Sequence, residues 1–311
     1  LLRSGATLEI EMKRRGFLAG SVMAASMLAA CASGAGRDAP AAFTSDRISV
    51  TTQGSGQDVI FIPGLSSSRE IWDTTVAALG PNYRVHLVQV NGFAGAPIGA
   101  NGEGPVAAPV AEEIARYIRD AGLERPAVIG HSLGGTMGMM LTARHPDLVG
   151  KLMVVDMFPF MGAMFGGPAA TPESLAPVAD QIRTAMLASP QGVVSERTVQ
   201  TINSMVRTES ARARIIEHSR LSNVPAVANA YHELILADLR PELRNITQPL
   251  TVLFVIPPQA PISAEQYEGF MRASYVNAPQ ARVVKIDESY HFIMIDQLDR
   301  FVAEVRTFLA E

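Results

Sequence analysis

One motif constrains the fold of this chain more than any other: Gly130-His131-Ser132-Leu133-Gly134, set between a strand pattern and a helix pattern. Residues 125–129 form a short apolar run typical of a buried strand, and residues 136–148 are rich in Met, Leu and Ala, which favours a helix. In a Gly-x-Ser-x-Gly turn the serine backbone is strained, and a Cβ at either glycine would collide with the neighbouring elements. The motif therefore predicts a serine nucleophile on a sharp strand-to-helix turn, faced by the positive end of the helix dipole.

The composition is that of a globular protein, with 48% hydrophobic and 18% charged residues. The formal net charge is −4, and the body of the chain has no cluster of Lys and Arg, which argues against a nucleic-acid partner. The sequence has neither a Cys-His grouping with metal-ligand spacing nor a glycine-rich phosphate-binding loop. We therefore expect no metal ion and no cofactor.

Strand and helix patterns alternate along most of the chain. Strands are predicted at 47–52, 58–62, 83–90, 125–129, 151–155, 250–256 and 281–286, and helices at 67–79, 106–122, 136–148, 264–275 and 297–309. Because the strands are apolar on both faces, they predict an α/β fold with a mostly parallel central sheet and helices on both faces.

Between 157 and 247 the alternation stops. No strand pattern occurs there, while helical patterns recur at 179–188, 199–207, 211–221 and 226–236. We interpret this insertion as a helical cap over the carboxyl ends of the strands, where sheets of this kind hold their sites. The core is then made of residues 45–156 and 248–311.

The serine turn in this context resembles the α/β-hydrolase family, and the resemblance covers about residues 45–311. It implies a nucleophile elbow at Ser132 and a catalytic triad in the chain order Ser, Asp, His. It also implies that His291, in the loop between the strand at 281–286 and the last helix, is the general base. His131 adjoins the serine and points away from it, so it is not a candidate base.

The other four histidines are explained structurally. His86 is expected in a strand core, His145 at a helix end, and His218 and His232 on the solvated faces of cap helices, from which either could also line a pocket.

The position of the acid in the predicted triad departs from the commonest family pattern. That pattern places a carboxylate just after the strand at 250–256, where residues 257–264 contain none. The resemblance allows an alternative one strand earlier, where Asp156 follows 151–155. A carboxylate at the end of a buried strand is costly unless it is paired, so we predict Asp156 as the acid. A helix N-cap is the competing interpretation, and Glu265 and Glu268 are the alternative acids.

The resemblance implies an oxyanion hole made of two backbone N–H groups. Leu133, directly after the nucleophile, supplies one, and Leu65 in the loop after 58–62 supplies the other, with Ser66 or Gly64 as alternatives. Candidates for an acyl pocket are apolar residues near the strand ends: Phe93, Phe158, Phe160 and Met161. Burial of the cap against the sheet explains the last three equally well.

The N-terminal region has the three segments of an export signal. Lys13-Arg14-Arg15 precede a short apolar stretch that ends in Leu28-Ala29-Ala30-Cys31. The arginine pair resembles a twin-arginine signal and the last four residues resemble a bacterial lipobox, which implies a lipid on Cys31. We therefore expect an export signal at 1–30, of which 1–11 lie upstream of the true start, a flexible tether at 31–44, and a periplasmic, membrane-anchored protein.

These features together predict a serine hydrolase that cleaves small-molecule carboxylic esters through an acyl-enzyme. The same triad also supports lactone, amide or carbon–carbon bond hydrolysis and perhydrolysis. A non-catalytic binding protein on the same fold is the alternative from a different class.

Overall fold

The computed structural model describes residues 43–311. Seven strands form one sheet in the order β1-β3-β2-β4-β5-β6-β7, in which β1 is antiparallel to β3 and all other pairs are parallel. The strands are β1 (Ile48–Gln53), β2 (Gln57–Ile62), β3 (Tyr83–Val90), β4 (Ala127–His131), β5 (Lys151–Val155), β6 (Leu250–Phe254) and β7 (Arg282–Lys285).

Helices lie on both faces of this sheet and in the segment between β5 and β6. They are α1 (Asp73–Leu79), α2 (Ala107–Asp120), α3 (Leu133–Arg144), α4 (Ala163–Gly166), α5 (Pro172–Leu187), α6 (Glu196–Met205), α7 (Glu209–Leu221), α8 (Val224–Leu236), α9 (Ala264–Ser274), α10 (Ile293–Asp296) and α11 (Leu298–Ala310). The predicted α/β fold with a mostly parallel sheet is thus confirmed.

Side chains of one strand alternate between two apolar cores. On β5, Leu152 and Val154 pack with residues of α2, α3 and α9, whereas Met153 and Val155 pack with residues of α1 and α11. Every residue of β4 is buried for the same reason. Burial on both faces explains why the sequence shows continuous apolar runs instead of a polar-apolar alternation.

Some predicted boundaries shift for identifiable reasons. The strand predicted at 125–129 lies at Ala127–His131, because Arg125 has a positive φ of 49° and Pro126 follows it. The helix predicted from 136 begins at Leu133, since the turn at Ser132 leaves no linker after the strand.

The segment between β5 and β6 contains helices α4–α8 and a short 3-10 turn at Glu242–Asn245. Helix α5 begins several residues before the predicted 179, because Thr171 and Ser174 cap its first turn reciprocally and Pro172 occupies its first position. Phe160, Leu175 and Ile235 belong to a small apolar cluster that joins α5 to α8.

The predicted export signal (1–30), including the residues 1–11 expected upstream of the true start, and the predicted lipidation site Cys31 lie outside the described residues. Only the end of the predicted tether is described, where the Phe43 ring packs edge-on against Tyr117 of α2 at 5.0 Å. Within 43–311, no helix combines the length and the apolar character needed to span a membrane.

Candidate active site

Ser132 occupies the sharp turn between β4 and α3. Its φ of 53° and ψ of −123° lie in a strained region, and its N–H donates to the Val155 carbonyl at 2.9 Å. A Cβ on Gly130 would overlap the Gly134 carbonyl oxygen, and one on Gly134 would overlap the carbonyl oxygen of Ile62. Both glycines are therefore required for the turn to pack between the sheet and the helix.

Asp156 stands beside Ser132 on the neighbouring strand. Strands β4 and β5 pair His131 with Val155, so the residues that follow them leave the sheet side by side. The Asp156 backbone also has a positive φ of 53°, and its N–H donates to the Leu253 carbonyl at 2.7 Å. Asp156 Oδ1 accepts from Val255 N–H at 3.0 Å, which leaves Oδ2 free for a second partner.

That partner is His291, in the loop between β7 and α10. Its Nδ1 lies 2.6 Å from Asp156 Oδ2. Because a carboxylate only accepts, Nδ1 carries the proton and Nε2 has a free lone pair, as a general base requires. Among the described residues, Ser132 Oγ makes no hydrogen bond with His291 Nε2. Hydrogen bonds between a catalytic nucleophile and its base often tighten only when substrate is bound.

Two backbone segments next to this serine carry candidate oxyanion donors. Leu133 is the first residue of α3, so its N–H has no partner within the helix. The other candidate donor lies in the turn Gly64–Ser67, closed by a bond of 3.2 Å from Ser67 N–H to the Gly64 carbonyl. A Cβ on Gly64 would stand 3.0 Å from Ser132 Cβ, so this backbone lies against the nucleophile. Within 43–311 the Leu65 N–H makes no backbone hydrogen bond, and the same holds for Ser66.

Among the described residues, neither alternative acid forms a hydrogen bond or an ion pair with His291. Glu265 and Glu268 are on α9; Glu265 is exposed, and Glu268 pairs with Arg272 at 2.9 Å. The geometry around His291 thus favours Asp156 over both.

The candidate pocket residues divide between two apolar clusters. Phe93 is fully buried, and Phe160 is 1% exposed in the α5–α8 cluster. Phe158 packs on Phe270 at 5.2 Å between ring centroids, and Met161 is half-buried. Two cavities, of about 520 and 370 Å³, lie elsewhere in the described range and include none of these side chains.

Three of the other histidines have structural partners. His86 is buried between Asp58, at 2.8 Å, and Tyr117, at 2.6 Å, and burial lowers its pKa. His145 and His232 bind the exposed carboxylates of Glu112 and Asp180.

The expected solvated position of His218 is wrong. Its side chain is buried at the end of α7, and its Nδ1 accepts from Ser68 N–H at 3.4 Å. One turn further along the chain, Ser222 Oγ makes a second contact with the core loops and accepts from Ala94 N–H at 2.8 Å. The α7–α8 junction therefore docks on the loops that follow β2 and β3, a contact between distant segments that helical periodicity does not reveal.

Sequence reasoning also missed Asp296. Its carboxylate accepts from the N–H groups of Arg207, Thr208 and Tyr290 at 3.1, 2.8 and 2.9 Å. It thereby fixes the residue before His291 and attaches the α6–α7 connection to the same loop. The only sequence feature that could have indicated this role of Asp296 is the position of a carboxylate in the first turn after the predicted histidine loop.

His291 has one more neighbour that sequence reasoning set aside. His131 Nε2 lies 3.0 Å from the His291 carbonyl oxygen, and the two ring centroids are 4.5 Å apart.

Among residues 43–311, no group of three His, Cys, Asp or Glu side chains is arranged to hold a metal ion.

A mostly parallel sheet with a strained serine and a paired Asp–His at its carboxyl edge defines a hydrolase-like architecture, and comparison with known proteins agrees. The sequence profile of the alpha/beta hydrolase family matches residues 59–304. The chain therefore belongs to the alpha/beta hydrolase family.

Individual relatives are distant. The chain is 22% identical over 259 residues to the pimeloyl-[acyl-carrier protein] methyl ester esterase of Aliivibrio fischeri, covering 83% of this chain and 95% of that protein. Among solved structures it is similar to a hydrolase from Pseudomonas aeruginosa PA01, with a TM-score of 0.70, 18% identity, and coverage of 85% and 94%. An esterase from Exiguobacterium antarcticum has a TM-score of 0.70 at 17% identity, with coverage of 85% and 96%. At these identities the two structures show the fold alone.

Proposed function

We propose that this protein is a serine hydrolase that cleaves carboxylic esters through an acyl-enzyme. The observation that carries the proposal is the 2.6 Å hydrogen bond between His291 Nδ1 and Asp156 Oδ2, formed beside the strained turn of Ser132. A serine hydroxyl is a weak nucleophile at neutral pH, and it needs a base whose tautomer is fixed by a third group.

Acylation begins when Ser132 Oγ attacks the ester carbonyl carbon and His291 Nε2 takes the hydroxyl proton. The carbonyl oxygen becomes an oxyanion, which the N–H groups of Leu133 and Leu65 stabilise, together with the helix dipole of α3. When the tetrahedral intermediate collapses, the carbon–oxygen bond of the ester breaks. His291 then gives its proton to the departing alkoxide, which leaves as the alcohol.

Deacylation repeats these steps with water as the nucleophile. His291 Nε2 removes a proton from water, the hydroxide attacks the acyl carbon, and Ser132 Oγ leaves with the returned proton. Asp156 stabilises the imidazolium form in both halves of the cycle. The hydrogen bond from Val255 N–H keeps the Asp156 carboxylate in place while that charge forms.

The ester class is supported by what the relatives' names state. The Aliivibrio fischeri protein is a methyl ester esterase and the Exiguobacterium antarcticum protein is an esterase. For this chain we propose small-molecule carboxylic esters of small to medium size.

We also propose that the protein is exported and lipid-anchored through Cys31, facing the periplasm. Support comes from the ordered charged, apolar and small-residue segments that end at this cysteine. Cells fed a labelled fatty acid should label the full chain but not the Cys31→Ala variant. An unlabelled native chain would contradict lipidation.

The central test is hydrolysis of p-nitrophenyl esters from acetyl to palmitoyl by the full chain, with Ser132→Ala as control. Turnover by the native protein alone supports the serine esterase, and the preferred chain length defines the acyl site. A fluorophosphonate should label the native protein and leave the variant unlabelled. If neither turnover nor labelling is found, the proposed function is wrong.

A further inference from the structure

His131 is a buried polar side chain that the proposed mechanism does not use. It is 1% exposed, and its ring packs with those of Trp72 and Phe292. Its ring centroid lies 4.8 Å from that of Phe292 and 4.5 Å from that of His291. A fully buried imidazole is costly to desolvate, and an apolar residue would pack there without that cost.

The hydrogen bond of His131 defines its chemical state. Its Nε2 lies 3.0 Å from the His291 carbonyl oxygen, which can only accept, so Nε2 carries the proton. Burial, followed by the proximity of His291, holds the pKa of His131 well below its ordinary value. The ring is therefore neutral, and its Nδ1 has no hydrogen-bond partner within 43–311.

The main chain of His291 has few other anchors. Tyr290 N–H is held by Asp296, and Phe292 N–H donates to the Met205 carbonyl at 3.3 Å. Between them, the only hydrogen bond that the His291 main chain makes within residues 43–311 is the one from His131. The main chain of the residue that carries the proposed base is thus held by this single side chain.

We infer that His131 is a positioning residue: its Nε2–H holds the His291 main chain so that Nδ1 meets Asp156 and Nε2 faces Ser132. This inference rests on the proposed serine-hydrolase function. A neutral donor suits the position, because a second positive charge at 4.5 Å would oppose the imidazolium that His291 becomes during each half-reaction.

A matched pair of variants isolates the donor. His131→Gln and His131→Met have side chains of similar length, and only glutamine carries an N–H group at its end. In the full chain, we expect His131→Met to lower kcat for the best p-nitrophenyl ester roughly ten- to hundredfold. A displacement of the catalytic base by about 1 Å is enough to slow the reaction by that factor. His131→Gln should recover most of this loss, with KM changed little in either variant. If the Met variant, folded by circular dichroism, turns over as fast as the Gln variant, the inference is wrong.

A second readout does not depend on catalysis or on a variant that folds. In the native full chain labelled with ¹⁵N-histidine, the His131 ring should be the neutral Nε2–H tautomer from pH 6 to 8. A protonated ring or an Nδ1–H tautomer in that range would overturn the inference. The native protein could instead show the expected tautomer and react with neither ester nor fluorophosphonate. That result would confirm the hydrogen bond of His131 but overturn both the proposed function and the positioning role that rests on it.

Discussion

Asp156 Oδ2 and His291 Nδ1 lie 2.6 Å apart although 135 residues separate them in the chain. The contact exists because β5 and β7 both end at the carboxyl edge of the sheet, with only β6 between them. Asp156 turns away from β5 with a positive φ, and its second oxygen is held by Val255 N–H, just beyond β6. The carboxylate thus reaches across the intervening strand to the histidine loop.

Replacing this carboxylate with an amide should remove most of the activity. In Asp156→Asn, the amide can donate to His291 Nδ1 and so favour the tautomer whose Nε2 already carries a proton. We expect kcat to fall by about 10⁴-fold with KM changed much less, as measured on the preferred p-nitrophenyl ester.

The alternative acids provide the matched controls for that experiment. Glu268→Gln breaks only a half-exposed ion pair with Arg272, and such a pair contributes about 0–1 kcal/mol to folding stability. Glu265→Gln changes a residue that is exposed. Both Gln variants should keep kcat within about twofold. A large loss in either one, with Asp156→Asn active, would assign the acid to α9 instead.

The second glycine of the elbow should not tolerate even a methyl group. A Cβ on Gly134 would overlap the carbonyl oxygens of Ile62 and Pro63, which are backbone atoms that cannot move aside separately. We expect Gly134→Ala to lower the free energy of unfolding in urea by about 1–3 kcal/mol. Gly269→Ala on α9 is the control, since a Cβ there meets nothing within 4 Å and should add about 0.5–1 kcal/mol of stability. Equal stabilities for the two variants would contradict the steric argument.

The protein should lose stability as the pH falls below neutrality. Burial lowers the pKa values of His86, His131 and His218 below their ordinary value of 6.5, so the unfolded chain binds these protons first. Each neutral buried histidine stabilises the fold above pH 6.5, and this contribution is lost as the pH drops toward its folded pKa. The slope should reach up to about 1.4 kcal/mol per pH unit for each of the three groups. Urea unfolding at pH 5, 6, 7 and 8 measures it, and a flat profile from 7 to 5 would refute the argument.

The sequence carried enough information to predict the sheet and the positions of the candidate triad. Strands buried on both faces appear as continuous apolar runs, which is why 83–90 and 151–155 were predicted with the bounds that the structure gives them. Ser132 and His291 were predicted from the glycine turn and from the resemblance to the family that it carries. Asp156 was predicted from the family's alternative acid position and from the cost of an unpaired carboxylate at a strand end.

What the sequence did not reveal depends on contacts between distant segments. Helical periodicity assigned His218 to solvent because it does not show what packs on a helix, and the loop after β2 covers that side chain. In the same way, no local pattern predicts that His131 donates to a carbonyl 160 residues later.

The attachment of α8 to α2 should depend on Glu233 of α8. Its carboxylate accepts from the N–H groups of Val106, the residue before α2, and of Ala107 and Ala108 in its first turn, with distances of 2.6, 2.6 and 2.8 Å. Because a negative charge at a helix N-terminus is favourable, we expect Glu233→Gln to lower the free energy of unfolding by about 1–2 kcal/mol. Glu112→Gln on the exposed side of α2 should cost about 0–1 kcal/mol. A smaller loss for Glu233→Gln than for Glu112→Gln in urea would contradict the capping role.

The second oxyanion donor can be identified by removing one N–H group without disturbing the turn. Ser66 has a φ of 57° whereas Leu65 has a negative one, so Gly64–Ser67 is a type II turn with Leu65 at its second position. Proline is favoured at that position and has no N–H to donate. Leu65→Pro should therefore lower kcat by about 10²–10³-fold with little change in KM, whereas Leu65→Ala, which keeps the donor, should lose far less. If the two variants have equal kcat on the same ester, the donor is Ser66 or Gly64 instead.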